Sequence, residues 1–89
     1  MVYIISYDLN KQGQNYDELY KRIKAVSNNN CCHPMESTWI IKCDKTSAEI
    51  TDYISTALDK NDSLFIAEIK TYYGLLRRES WDCISNLFY

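Results

Sequence analysis

The sequence contains little glycine, proline or basic charge. Only 2 Gly and 1 Pro occur among the 89 residues, while 46% of the residues are hydrophobic and 13% are aromatic. This composition is typical of a packed globular chain and excludes a disordered, low-complexity one. A chain of this length supports one hydrophobic core, so we assign residues 1–89 to a single domain.

Long hydrophobic runs are also absent. No apolar run in the sequence approaches the length of a membrane span. The first residues lack the basic start, apolar centre and small-residue cleavage site of a signal peptide. We therefore expect a cytoplasmic protein that makes no membrane contact.

The sequence has too few basic residues for nucleic acid to bind over the whole surface of the protein. The net charge is -2 at pH 7, and phosphate neutralisation needs clustered Lys and Arg. Two local clusters exist, one of Lys21, Arg22 and Lys24 and the other of Arg77 and Arg78. We interpret both clusters as solvated faces rather than binding surfaces.

The four cysteines show no metal-binding spacing. Cys31 and Cys32 are adjacent, Cys43 and Cys83 stand alone, and no C-x-x-C pair occurs. The neighbouring His33 does not complete a usual zinc pattern, although a metal site is an alternative. In a reducing cytosol we expect the four cysteines to be free thiols.

The hydrophobic pattern predicts six core elements and a helical tail. Residues 2–7 are rich in β-formers and predict a central strand, and Asn15 is a candidate cap for the helix that follows. "SNNN" ends that helix. Residues 31–43 predict a hairpin with a bulge or bend, in which Pro34 indicates that the first strand is short or lies at an edge. A T-x-x-E capping box opens the second helix, and residues 63–69 predict the last strand.

This order predicts an α+β fold, a ferredoxin-like βαββαβ sandwich with an antiparallel sheet, two helices on one face and a short C-terminal helix. The apolar tail packs back on the domain or lies in a partner, and either the tail or a dimer partner covers the other sheet face. The predicted core comprises Ile5, Leu19, Ile23, Trp39, Ile41, Ile54 and Phe65.

Three segments carry a resemblance to a known family. "YIISYDLN" at the end of the first strand, "ESTWIIK" in the middle and "KNDSLFIAEI" in the last strand resemble the Cas-two family, the small CRISPR adaptation proteins. VapD-type interferases and SinR-like small proteins belong to the same superfamily. The resemblance covers roughly residues 2–70 and leaves out the tail.

The resemblance implies a ferredoxin-like homodimer with a metal-dependent nuclease site. The Asp that closes the first strand is the catalytic and metal-binding residue of that family, and here it is Asp8. Two copies of Asp8 facing each other would hold a divalent ion such as Mg²⁺. Asn10, Lys11, Gln12 and Ser37 are the residues expected to contact RNA or DNA.

The chain departs from the family pattern at two places. Glu36 stands where the family usually has Gln before the Ser, and the entry to the first helix is not rich in Arg. From its sequence context alone, Asp8 is also a candidate for a loop cap. For His33 an exposed loop position is favoured over a general base, and for Trp39 packing is favoured over base stacking.

Two functions follow as hypotheses. The first is a Cas-two-like, Mg²⁺-dependent endoribonuclease or nuclease in prokaryotic or phage defence. The second is a non-catalytic dimeric interaction module that binds a protein partner through the apolar C-terminal tail. Such a module would act as a defence regulator, an inhibitor or an antitoxin-like protein.

Overall fold

The computed structural model describes residues 1–9 and 16–88. This part of the chain forms a mixed α+β fold with a four-stranded antiparallel sheet and three helices. In chain order the elements are β1 (Val2–Asp8), α1 (Tyr16–Val26), β2 (Cys31–Met35), β3 (Thr38–Lys42), α2 (Ser47–Ser55), β4 (Ser63–Glu68) and α3 (Arg78–Phe88).

Strand β1 is central in the sheet, as predicted. The strand order is β2-β3-β1-β4, and β1 pairs antiparallel with both β3 and β4. The hairpin of β2 and β3 is confirmed, and its register shifts between Cys32 and Met35. Pro34 lies inside that irregular segment of an edge strand, where a missing N–H donor does least damage.

Helix α1 ends at Val26, directly before the "SNNN" run. Asn28 and Asn29 have positive φ values of 52° and 65°, a backbone region that Asn tolerates better than most residues. The Asn29 N–H donates to the Lys24 carbonyl at 2.9 Å, and the Asn28 N–H donates to the Ala25 carbonyl at 3.1 Å. These two bonds form a Schellman motif, which satisfies two carbonyls at the end of the helix.

Helix α2 begins with the predicted capping box. The Glu49 N–H donates to Thr46 Oγ1 at 3.2 Å, and the Thr46 N–H donates to Glu49 Oε1 at 2.9 Å. Two N–H groups that lack partners within the helix are thereby satisfied. Hydrogen bonds to the Glu49 carboxylate, first from the Thr46 N–H and then from the Thr46 side chain, lower the pKa of Glu49 below its ordinary value.

The two faces of the sheet bury different helices. Alternate side chains of a strand lie on opposite faces, so Tyr3, Ile5 and Tyr7 of β1 share one face while Val2 and Ile4 share the other. The first face packs against α1 and α2, and the second face packs against α3. The larger cluster comprises Tyr3, Ile5, Tyr7, Leu19, Ile23, Trp39, Ile41, Cys43, Ile50 and Ile54; the smaller comprises Val2, Cys32, Ile40, Ile84 and Leu87.

Six of the seven residues expected in the core are buried: Ile5, Leu19, Ile23, Trp39, Ile41 and Ile54. The expectation for Phe65 is wrong, because its side chain is 67% exposed. Phe65 pairs with Ser6 on edge strand β4 and therefore lies on the face that turns away from α1 and α2. Helix α3 covers mainly β2 and β3 of that face and leaves Phe65 uncovered.

The C-terminal tail packs back on the domain. Ile84 and Leu87 of α3 are buried against Val2 and Ile40, as the first of the two alternatives has it, and a contact of the tail with a partner stays a prediction. In the part of the chain that the structure describes, no helix has the length and apolar character that crossing a membrane would require.

The expectation of four free thiols is wrong for two cysteines. Cys32 of β2 and Cys83 of α3 form a disulfide with a Cα–Cα distance of 6.0 Å, while Cys31 and Cys43 are free. The two bonded residues are 51 positions apart, and short-range spacing carries no information about such a pair. They meet because α3 packs onto the sheet face on which Cys32 lies.

Candidate functional site at the end of strand β1

Asp8 lies at the exposed end of the central strand. It pairs with Ser63 in register and lines a groove of about 200 Å³ together with Ser6, Leu64 and Phe65. Ser6, Asp8, Ser63 and Phe65 all occupy the sheet face that turns away from α1 and α2. The exposed Asp8 therefore shares its sheet face with two hydroxyl-bearing residues and one aromatic residue.

A hydrogen-bonded network lies on the opposite face, one residue before Asp8. The indole Nε1–H of Trp39 donates to Tyr7 Oη at 3.1 Å, and the Tyr7 hydroxyl donates to the Glu36 carbonyl at 3.0 Å. Burial raises the pKa of Tyr7 above its ordinary value, and the bond from Trp39 opposes that rise. The buried phenol is therefore a neutral structural group that ties β1 to the β2–β3 turn.

His33 extends this network to the surface. Its ring stacks on Trp39 with centroids 4.0 Å apart and an interplanar angle of 11°, and Tyr20 contacts both rings edge-on. His33 Nε2 lies 3.0 Å from the Glu36 carbonyl oxygen. A carbonyl oxygen only accepts, so Nε2 carries the proton in this hydrogen bond.

The stacking partner of His33 is Trp39, whose side chain faces α1 and α2, whereas Asp8 faces the other way. His33 is thus on the wrong side of the sheet to act as a base beside Asp8. The favoured interpretation of Trp39 as a packing residue agrees with its burial.

The β2–β3 turn brings Ser37 and Glu36 to the end of β1 through their backbones. The Tyr7 N–H donates to the Ser37 carbonyl at 3.1 Å, and Ser37 itself is exposed. Glu36 contributes its carbonyl on the Tyr7 side of the sheet. Asn10, Lys11 and Gln12, the other expected nucleic-acid contacts, lie outside the described residues, as does the predicted cap Asn15.

The donor set around Asp8 is only partly suited to a metal ion. A carboxylate and hydroxyl oxygens are the hard ligands that Mg²⁺ prefers. However, residues 1–9 and 16–88 contain no group of three or more His, Cys, Asp or Glu side chains that could hold a metal. A complete site would need ligands beyond those that the described part of one chain brings together.

The basic cluster of α1 is partly engaged in the contact between helices. Arg22 Nε forms an ion pair with Glu18 Oε1 at 3.2 Å, and its guanidinium lies 5.1 Å from the centre of the Tyr53 ring of α2. Lys21 and Lys24 are exposed, as expected of a solvated face, whereas Arg22 is half-buried. These contacts hold the Arg22 side chain between α1 and α2.

The structure also contains an apolar groove that was not predicted from the sequence. It has a volume of about 450 Å³ and lies between the α3 face of the sheet and residues 69–76. Tyr73 and Leu75 on its rim are each 98% exposed, and Met35 and Tyr72 are also exposed. The segment "TYYGLL" before α3 was the available signal, since four large apolar side chains in an irregular segment are unusual.

Comparison with known proteins found no relative, because no family model and no curated protein matches the chain.

Proposed function

We propose that the protein is a non-catalytic, homodimeric interaction module with a ferredoxin-like fold, and that it belongs to the Cas-two superfamily. The strand order and the positions of α1 and α2 between strands support the proposed topology. The family membership rests on the sequence resemblance. A cytoplasmic location and a role in prokaryotic or phage defence rest on the same resemblance.

The exposed rim of the apolar groove is the observation that carries this proposal. Met35, Tyr72, Tyr73 and Leu75 are all exposed and line one continuous groove. Single exposed apolar side chains are ordinary, but a contiguous group of them marks an interaction surface. Burial of this rim in a partner would remove its apolar area from water and stabilise the complex.

A second copy of the chain is the partner that we propose. A two-fold interface uses the same patch on both protomers, so an apolar rim can pair with itself. The net charge of only -2 opposes self-association weakly. A contact of the tail with another protein stays a prediction, and because Ile84 and Leu87 are buried against the sheet, it would use other tail residues or require α3 to move.

The experiment is a measurement of molar mass against concentration for the wild type, Leu75→Asp and Ala48→Asp. The wild type should reach twice the chain mass of 10.5 kDa. Leu75→Asp should weaken the dimer about tenfold or more, because it places a charge in the apolar contact. Ala48→Asp adds the same charge on exposed α2 and should leave the mass unchanged. A wild type that stays monomeric, or a Leu75→Asp variant that dimerises normally, would refute the proposal.

The second candidate is a Mg²⁺-dependent nuclease, supported by the position of Asp8. Its exposed carboxylate closes the central strand, as the resemblance implies. In this proposal Asp8 and Asp8 of a second copy would hold Mg²⁺, and the ion would lower the pKa of a bound water for attack on a phosphodiester. RNA and DNA are both substrates to test.

Cleavage of single-stranded RNA and duplex DNA with Mg²⁺ should be compared among the wild type, Asp8→Asn and Asp44→Asn. The nuclease hypothesis predicts that Asp8→Asn abolishes cleavage and that the exposed control Asp44→Asn retains it. Titration calorimetry with Mg²⁺ alone should show heat for the wild type and none for Asp8→Asn. Equal cleavage by all three proteins, or none by any, would exclude this function.

A further inference from the structure

A disulfide joins the C-terminal helix to the edge of the sheet. Cys32 of β2 is 4% exposed, whereas Cys83 in the middle of α3 is half-buried. The sulfur of Cys83 is therefore the more accessible end of the bond. Thiol–disulfide exchange begins with attack of a thiolate on an accessible sulfur.

Apart from the disulfide, α3 is held on the sheet by a small apolar cluster and by stacking of Tyr72 on Trp81 and Phe88. Ile84 and Leu87 are its two buried side chains, and Trp81 and Phe88 are half-buried. Residues 69–77, which lead into α3, form no helix or strand and are mostly exposed. Because this helix lies at the end of a mostly exposed segment and buries only two side chains, we expect it to open locally before the sheet unfolds.

We propose that the Cys32–Cys83 disulfide is a redox-controlled tether, which holds α3 on the sheet when oxidised and releases it when reduced. The reductant is a dithiol, either a small molecule or a thioredoxin-like protein. It transfers two electrons and two protons to the bond, leaves thiols on Cys32 and Cys83, and becomes a disulfide itself.

Release of α3 would expose an apolar surface. Val2, Cys32 and Ile40 are buried against Ile84 and Leu87 in the tethered state. When α3 leaves, these sheet residues and the apolar side of the helix both become accessible to another molecule. The tether therefore controls whether this sheet face is covered. Because Trp81 and Ile84 of α3 also line the apolar groove, release of α3 would alter the surface proposed above for the dimer.

The two remaining cysteines lie on the other face of the sheet. Cys31 follows the strand alternation away from Cys32 and packs against the α1–α2 core, and the buried Cys43 Sγ donates to the Val26 carbonyl at 3.2 Å. Neither thiol can contact the disulfide unless its strand rotates and places the side chain on the opposite face of the sheet. The redox state of the tether is thus set by an external reductant rather than by internal exchange.

Amide hydrogen exchange of the oxidised and the dithiothreitol-reduced wild type tests the proposal. Reduction should accelerate exchange in α3 about tenfold or more, while amides of β1 keep their protection. The variant Cys32→Ser/Cys83→Ser should exchange like the reduced protein under both conditions. The matched control Cys31→Ala/Cys43→Ala keeps the disulfide and should show the wild-type response to reduction.

Three results would overturn the proposal. Equal protection of α3 in the oxidised and reduced wild type would show that packing alone holds the helix. An equal loss of protection in β1 would show that reduction unfolds the whole domain instead of releasing one element. Four titratable thiols in the protein after air oxidation would show that Cys32 and Cys83 do not pair. The wild-type comparison decides the matter even if a variant fails to fold.

Discussion

Removal of the Tyr7 hydroxyl should destabilise the protein and reduce its sensitivity to alkali. In Tyr7→Phe the buried indole N–H of Trp39 loses its acceptor, and the Glu36 carbonyl loses a donor. A buried polar group left without its partner costs about 1–3 kcal/mol. For a domain of this size each kcal/mol corresponds to a fall in Tm of roughly 4–8 °C.

The alkaline effect follows from the raised pKa of Tyr7. Burial holds the folded-state pKa above the ordinary value of 10.0, so above pH 10 the unfolded chain ionises first. The stabilising contribution is complete below pH 10 and is lost as pH rises towards the folded-state pKa. The free energy of unfolding should fall by about 1.4 kcal/mol per pH unit in that window for this one group.

Urea unfolding of the wild type, Tyr7→Phe and Tyr73→Phe between pH 7 and pH 11 is the appropriate assay. Tyr7→Phe should start less stable and should decline less steeply above pH 10, with a residual slope from Tyr3, whose pKa burial also raises. Tyr73 is almost fully exposed, so Tyr73→Phe should follow the wild type. If Tyr7→Phe matches the wild type in stability at pH 7 and in slope above pH 10, the reasoning about this network is wrong.

Three further predictions concern local features, each measured by chemical unfolding. Asn28→Ala should cost about 1 kcal/mol because Ala tolerates the positive φ poorly, whereas Asn30→Ala, just beyond the positive-φ pair, should be nearly neutral. Phe65→Ser should change the free energy of unfolding by less than about 0.5 kcal/mol, because Phe65 is exposed. Ile41→Ala should lower it by about 2–5 kcal/mol, because Ile41 is fully buried. A larger loss for Phe65→Ser than for Ile41→Ala would show that Phe65 belongs to the core. Thr46→Ala should cost about 1 kcal/mol through loss of the helix cap, and no loss would mean that the capping box does not stabilise α2.

Features that depend on a few neighbouring residues were predictable from the sequence. The capping box of α2 needs only Thr46 and Glu49 three positions later, and the end of α1 needs only the asparagine run. The central position of β1 followed from an apolar strand with no polar face. Each of these rules acts over one helical turn or one strand.

The candidate site was predictable only in part. The sequence predicted directly that Asp8 ends the first strand. The exposure of Asp8 is consistent with both the interaction module and the nuclease. The sequence could not predict that His33 and Asp8 lie on opposite faces of the sheet, because the position of His33 depends on the face that Trp39 occupies. The apolar groove depends on how residues 69–76 cross the sheet, and no local pattern encodes that path.

The sequence by itself determined the kinds of elements, their order and most of the core, because hydrophobic periodicity and caps act locally. Tertiary structure alone decided the environment of Phe65 and the pairing of Cys32 with Cys83. Both depend on where α3 lies on the sheet. Helix α3 covers β2 and β3, which brings Cys83 to Cys32 and leaves Phe65 on β4 in water. The position of α3 is set by contacts between residues far apart in the chain, and these contacts leave no periodic signal in the sequence.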